Sequence, residues 1–248
     1  DLWVLDLADG TERPITSDGA PHYAYGALPE CRARMQPQFP LPPAPPEALW
    51  SPDGSRLLTV QTDERGVRPL PLVDWLPADG SLRPRSLEVR VPWAGDAAVP
   101  EFRLTCIDVR TGHQVAARWP RIPAVRMYDT PFSANLAWWA DDGRTCWFVD
   151  VERGERRARV VEFDAETGAC RVLFEESSAT YVDLGYNVYA PCQSQVVPGT
   201  RELLWWSERS GYAHLYLMDL GTGRTLRPVT SGDWLVRDVL HVDAGRRE

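Results

Sequence analysis

The chain contains no lysine: its 27 basic side chains are all arginines, against 35 Asp and Glu, for a formal net charge of −8 at pH 7. An acidic balance of that size works against a nucleic-acid backbone or an anionic membrane surface as partner. No apolar run approaches the roughly 18 residues needed to cross a bilayer as a helix. The pentapeptide Gly-x-Ser-x-Gly, on which a hydrolase nucleophile sits, does not occur. The four histidines (His22, His113, His214, His241) lie outside any βαβ pattern that would seat a Ser-His-Asp triad, so the chain alone is expected to be non-catalytic. The five cysteines are odd in number, scattered and without CxxC spacing. That pattern favours reduced thiols over disulfides or a zinc site, and hence a cytoplasmic protein with neither metal nor cofactor. No secretory signal is visible, but the first residue is Asp rather than Met. The expectation is therefore a piece of a longer protein, from which a leader has been removed or to which more chain belongs.

What the chain does contain is punctuation and repetition. Eighteen glycines and 22 prolines leave little room for long helices. The strand-turn-strand phrase Trp50-Ser51-Pro52-Asp53-Gly54-Ser55-Arg56, leading into Leu57–Val60, recurs in degenerate form. Trp138-Trp139-Ala140-Asp141-Asp142-Gly143-Arg144 and Val196-Val197-Pro198-Gly199-Thr200-Arg201 are its copies. A second phrase, an alternating strand ending in an acid and then Thr-Gly or Asp-Gly, runs over 2–10, 104–112, 160–168 and 215–223. Repeats of one supersecondary unit mean stacked modules, and short strands with turn signals make them β. The fold class expected is all-β: a β-propeller segment of four-stranded antiparallel blades, residues 1–248 forming one domain with about three full blades and partial ones at both ends. The eleven tryptophans suit the flat faces that neighbouring blades press together.

Two stretches break the pattern. Residues 20–47 form a proline-rich loop, with six prolines between 37 and 46 giving an extended segment unable to enter a central strand. Residues 63–100 read as an insertion within the second blade. After the last blade, Asp233–Val239 reads as the opening of another strand. Glu175-Glu176, closing the outer strand 171–174, reads as a solvated rim. The repeated acids Asp6, Asp108, Asp164 and Asp219 read as turn formers that bond their own backbone.

The order of phrases resembles the N-terminal propeller of dipeptidyl peptidase IV-like enzymes, in the prolyl oligopeptidase clan of serine peptidases. The resembling residues are Ala48–Gly54, Val67–Leu70 and Val89-Arg90-Val91-Pro92-Trp93-Ala94-Gly95-Asp96, then Ser207-Glu208-Arg209-Ser210-Gly211-Tyr212 and Thr230-Ser231-Gly232-Asp233-Trp234. The resemblance implies a seven- or eight-bladed ring that gates and docks peptide substrates for a C-terminal α/β-hydrolase domain, with dimerisation through propeller extensions. A stand-alone TolB-like propeller that binds partner proteins is the alternative.

Family peptidases hold the substrate ammonium with two adjacent glutamates shortly before the Trp-Ser-Pro phrase. Here that stretch reads Pro40–Glu47, and the doublet is missing. Glu30, on the long loop, is the candidate lone amine anchor, and Glu47 the second acid, with structural readings beside both. Arg65, following the strand with Asp63, Glu64 and Arg68, is a candidate for the central channel, with local ion pairing as the alternative. The arginine that binds the substrate carbonyl in the family would fall near Tyr189, where this chain has none. Tyr23, Tyr25 and Trp75 are candidates for an aromatic peptide-binding wall, with packing between blades as the alternative.

Overall fold

The computed structural model describes residues 1–35, 45–77, 79–124, 129–185 and 192–246. Strands β1 (Trp3–Leu5) and β2 (Glu12–Pro14) pair as a two-stranded sheet. The next sheet is built on β5 (Arg56–Asp63) and β8 (Glu101–Asp108). Along one edge of β5 lie β4 (Ala48–Trp50) and β3 (Tyr23–Tyr25), end to end, and along the far edge of β8 lie β9 (Gln114–Ala116) and β10 (Ile122–Pro123). Two four-stranded meanders follow. The first is β11 (Ala137–Trp139), β12 (Thr145–Val151), β13 (Arg157–Asp164) and β14 (Cys170–Ser177), and the second β15 (Gln195–Val196), β16 (Glu202–Ser207), β17 (His214–Asp219) and β18 (Thr225–Pro228). All the pairings are antiparallel, and the sheets stack face to face as propeller blades.

Stacking on both faces explains why the middle strands are apolar without alternation. Residues 57–62 of β5 are all buried, as are residues 146–151 of β12, because each side chain meets a neighbouring blade whichever way it points. Leu58, Val60, Phe102 and Cys106 pack against Phe148, Val161 and Phe163 of the next blade. That blade turns Trp147, Val149 and Val160 toward Leu203, Trp205 and Met218. Cys106 and Cys146 serve as small apolar residues here, and burial pushes the Cys106 thiol up to about 12. Tryptophan does less of this packing than the sequence suggests: Trp147 and Trp205 are fully buried, but Trp3, Trp50, Trp75, Trp93 and Trp234 are exposed.

The repeated phrases mark turns and blade contacts. In the first, Gly54 N–H bonds Ser51 O at 2.9 Å while Asp53 accepts from the Ser55 amide and both flanking serine hydroxyls. In the second, Asp108, Asp164 and Asp219 accept amides two or three residues on. The glycine closing each of these turns has positive φ and lies against the main chain of the preceding sheet, at or just past its outer strand. A Cβ on Gly168 would sit 2.7 Å from Ala116 O, and one on Gly223 would overlap the Leu173 carbonyl. Arg56 and Arg201 then reach across blade boundaries, Arg56 to Gly143 O and Glu166, Arg201 to Glu162.

Three local expectations change. Glu176 is not on a solvated rim: its carboxylate receives the Trp205 indole N–H at 2.7 Å, the Ser207 hydroxyl and the Arg209 guanidinium at 2.6 Å. The strand β14 runs farther than its hydrophobic pattern, and its end falls beside the next blade. Residues 233–239 form no strand, because the segment follows the blade side on isolated bonds, Val236 N–H to Ala213 O and Trp206 Nε1–H to Val236 O. Its anchor is His214, buried with one ring nitrogen against Thr230 Oγ1 and the other against Gly232 O, and with Trp234 edge-on at 5.2 Å. Within 20–47 the structure has β3 and a short helix, α1 (Glu30–Met35), rather than loop alone; prolines 37, 40, 42 and 43 lie outside the described residues.

Candidate functional site

Between β5 and β8 the chain leaves the blade as a hairpin, β6 (Pro69–Asp74) and β7 (Arg85–Arg90). At the base of this hairpin the end of β5, the residues before β3 and helix α1 converge. The helix starts at Leu28-Pro29-Glu30, with proline where a helix can do without an N–H and an acid in the first turn. Both Glu64 oxygens accept the Glu30 N–H at 3.0 Å. The Glu64 N–H donates to His22 O at 2.8 Å, and Val67 N–H returns to Glu64 O at 2.9 Å. Glu30 Oε2 accepts the Arg90 N–H at 3.1 Å and lies 3.7 Å from His22 Nδ1. Arg90 in turn donates to Val67 O. Loop, helix, strand end and hairpin are thus knotted through two glutamates.

The electrostatics of the pair are unequal. Glu64 is buried, and desolvation, reinforced by the Glu30 carboxylate and opposed by the Glu30 N–H, raises its pKa to about 7. The Glu30 side chain keeps 20% of its surface. Beside them, Arg65 forks onto Asp63 at 2.9 and 2.7 Å and covers the Tyr23 ring at 3.9 Å, and its hydrogen bond holds Asp63 below the usual carboxylate range. Arg121 approaches Tyr23 Oη at 3.3 Å from the far edge of the sheet. Two residues into α1, Arg32 ties the helix to Asp129, which precedes the next blade, at 3.0 Å.

Glu30 and Arg65 therefore share one corner of the second blade with Tyr23. Glu47 stands apart: it is buried, its carboxylate receives the Ser133 N–H at 3.0 Å and the Thr130 hydroxyl, and desolvation raises its pKa. Tyr189 lies outside the described residues. The aromatic wall is split up. Tyr25 is buried between blades with its hydroxyl on Gln114 Oε1, and Trp75 is exposed at the hairpin tip. Glu64, Arg90, His22 and Arg32 are the members that sequence reasoning did not bring together. The Pro-Glu pair at 29–30 followed by Cys-Arg-Ala-Arg was the available helix signal, whereas the contacts of Glu64 join segments 34 residues apart. Among the described residues no group of three or more His, Cys, Asp or Glu could hold a metal ion.

A family model of the dipeptidyl peptidase IV (DPP IV) N-terminal region matches residues 47–248. An Aspergillus flavus protein named "Probable dipeptidyl peptidase 4" is 26% identical over 259 residues, covering 100% of this chain and 31% of its own length. Dipeptidyl peptidase 4 of Trichophyton tonsurans is 24% identical over 255 residues, covering 100% of this chain and 30% of its own. The crystal structure of Porphyromonas gingivalis dipeptidyl peptidase 4 superposes with a TM-score of 0.74 at 19% identity, over 98% of this chain and 31% of that one. The chain spans less than a third of the length of these relatives.

Proposed function

The chain belongs to the dipeptidyl peptidase IV N-terminal region family, and on that premise we propose that it docks and meters peptide substrates for an α/β-hydrolase domain of its parent protein. The family match sets aside the alternative of a TolB-like scaffold. On this reading the chemistry belongs to the hydrolase domain, and the propeller contributes binding.

The observation that carries the docking role is the fixed Glu30 carboxylate. It stands partly exposed at the corner of the second blade, oriented by the Arg90 N–H and by the pinning of its own amide on Glu64. A carboxylate has about four acceptor positions, and a peptide ammonium is a three-donor cation that suits it by charge-assisted hydrogen bonding. Glu30 then anchors the substrate amine. Arg65, stacked on Tyr23, forms the adjacent wall that the first side chains would meet. Titrating the chain with tetra-alanine and with its N-acetylated form, followed by amide NMR shifts, tests this. Wild type should prefer the amine form and Glu30→Gln should lose the preference; equal binding of the two peptides by wild type removes the proposal.

We also infer that two copies of the chain associate through the hairpin β6–β7. It projects Val73, Trp75, Leu76 and Leu82 into solvent, a density of apolar surface that a second copy would cover. A monomeric mass in sedimentation at 50 μM would refute this.

A further inference from the structure

We propose that Glu64 is a positioning residue for Glu30 and that the charge it carries sets how strongly the amine is held, so that docking responds to pH through a side chain that never touches the peptide. The proposal rests on the reading of Glu30 as amine anchor. It is carried by geometry: one buried carboxylate spends both oxygens on the Glu30 amide, at 3.0 Å each, while its own N–H and C=O bind His22 and Val67. Those bonds fix the first residue of α1 against the strand end and the hairpin base. With only six residues, the helix is too short to hold its own start rigidly.

The groups around Glu64 account for its response to protons. From α1 it faces Glu30 and the buried Cys31 thiol, from the end of β5 Asp63, and from β7 Arg90. His22 contributes its carbonyl, and its ring stands beside Glu30. Desolvation first, and then two facing carboxylates against one guanidinium, favour a proton on Glu64, and the titration falls near neutrality. Ionised, Glu64 places a second negative charge behind Glu30 and accepts its N–H at full strength. Protonated, it does neither. At an effective dielectric of about 20, a unit charge some 7 Å from an ammonium changes affinity by an order of magnitude or more. Partial ionisation at pH 7 leaves about fivefold to be observed.

The test uses the whole chain and tetra-alanine between pH 5.5 and 7, where the peptide amine remains protonated. It is run in a His22→Gln background, so that the imidazole beside Glu30 plays no part in the profile. Affinity should rise about fivefold across the range. Glu64→Gln, which keeps an acceptor for the Glu30 amide but cannot ionise, should bind with a flat pH profile. Glu64→Ala should bind weakly throughout. Without any peptide, the Glu30 amide shift should titrate near pH 7 in the Glu64 protein and not in Glu64→Gln. If Glu30→Gln abolishes amine preference while Glu64→Gln keeps the parental profile, the Glu64 proposal fails and the docking reading stands. If the Glu30 amide shift is indifferent to pH, the positioning role is overturned whatever the peptide does.

Discussion

Replacing Glu176 by alanine should be among the most damaging single changes in the molecule, although a strand-end glutamate ordinarily matters little. The carboxylate bonds three donors from the next blade: the Trp205 indole N–H, the Ser207 hydroxyl and the Arg209 guanidinium. Trp205 and Ser207 are fully buried, so in Glu176→Ala their donors lose their partner where water cannot replace it. Each such orphan costs about 1–3 kcal/mol. Arg209 keeps 31% of its side-chain surface and rehydrates, adding only ~0–1 kcal/mol. The sum spans about 2–7 kcal/mol and brackets the ~3–5 kcal/mol expected when one partner of a buried charged cluster is removed. Glu176→Gln keeps acceptor oxygen but turns an NH2 toward a donor, and should fall about halfway. Urea unfolding followed by tryptophan fluorescence measures this. With an m value of ~3 kcal/mol/M, the midpoint of the alanine variant should drop by about 1 M or more. A shift below ~0.3 M would refute the reasoning, as would Arg209→Ala costing as much as Glu176→Ala.

Other perturbations address separate links in the structure. Gly223→Ala puts a Cβ into the Leu173 carbonyl at a residue with φ of 72° and should cost about 2–5 kcal/mol in the same assay, from left-handed strain plus overpacking. Because Glu64 holds its proton up to about pH 7 in the folded chain and sheds it near 4.5 when unfolded, the folded state binds more protons between those values. Stability should therefore fall as pH rises from about 4.5 to 7, by on the order of 3 kcal/mol from this group, and Glu64→Gln should flatten the curve. Trp75→Ser with Leu76→Ser, both exposed at the hairpin tip, should abolish self-association in sedimentation while leaving the unfolding free energy within ~0.5 kcal/mol of wild type. Glu47→Gln should weaken stability, through the Thr130 and Ser133 bonds, without altering amine preference in the peptide titration.

The blades were legible in the chain because their signals are local. A turn such as Ser51-Pro52-Asp53-Gly54 closes within four residues, and Asp164 bonds amides two and three positions away. The candidate site was legible only in part. Glu30 and Arg65 stood out as charged residues on irregular segments, but the partner that fixes Glu30 is 34 residues on and the hairpin that closes around it lies 60 residues on. Such bonds leave no periodicity. Glu176 was misread for the same reason, since its partners belong to a blade 29 to 33 residues later. The Ser207-Glu208-Arg209 phrase was noticed as a word before its use was visible: Arg209 stacks on Tyr216 at 4.6 Å while gripping Glu176.

The glycines closing three of the four acidic turns, Gly112, Gly168 and Gly223, come up against a neighbour's main chain, at Ile15, Ala116 and Leu173 in turn. Contact of that kind asks nothing of the side chains on the strand being touched. The spacing between modules is thereby written in peptide groups, and the decorations on either side are at liberty to drift. A protein assembled this way preserves its silhouette long after its letters have changed, in keeping with an overlay of TM-score 0.74 on a chain sharing one residue in five.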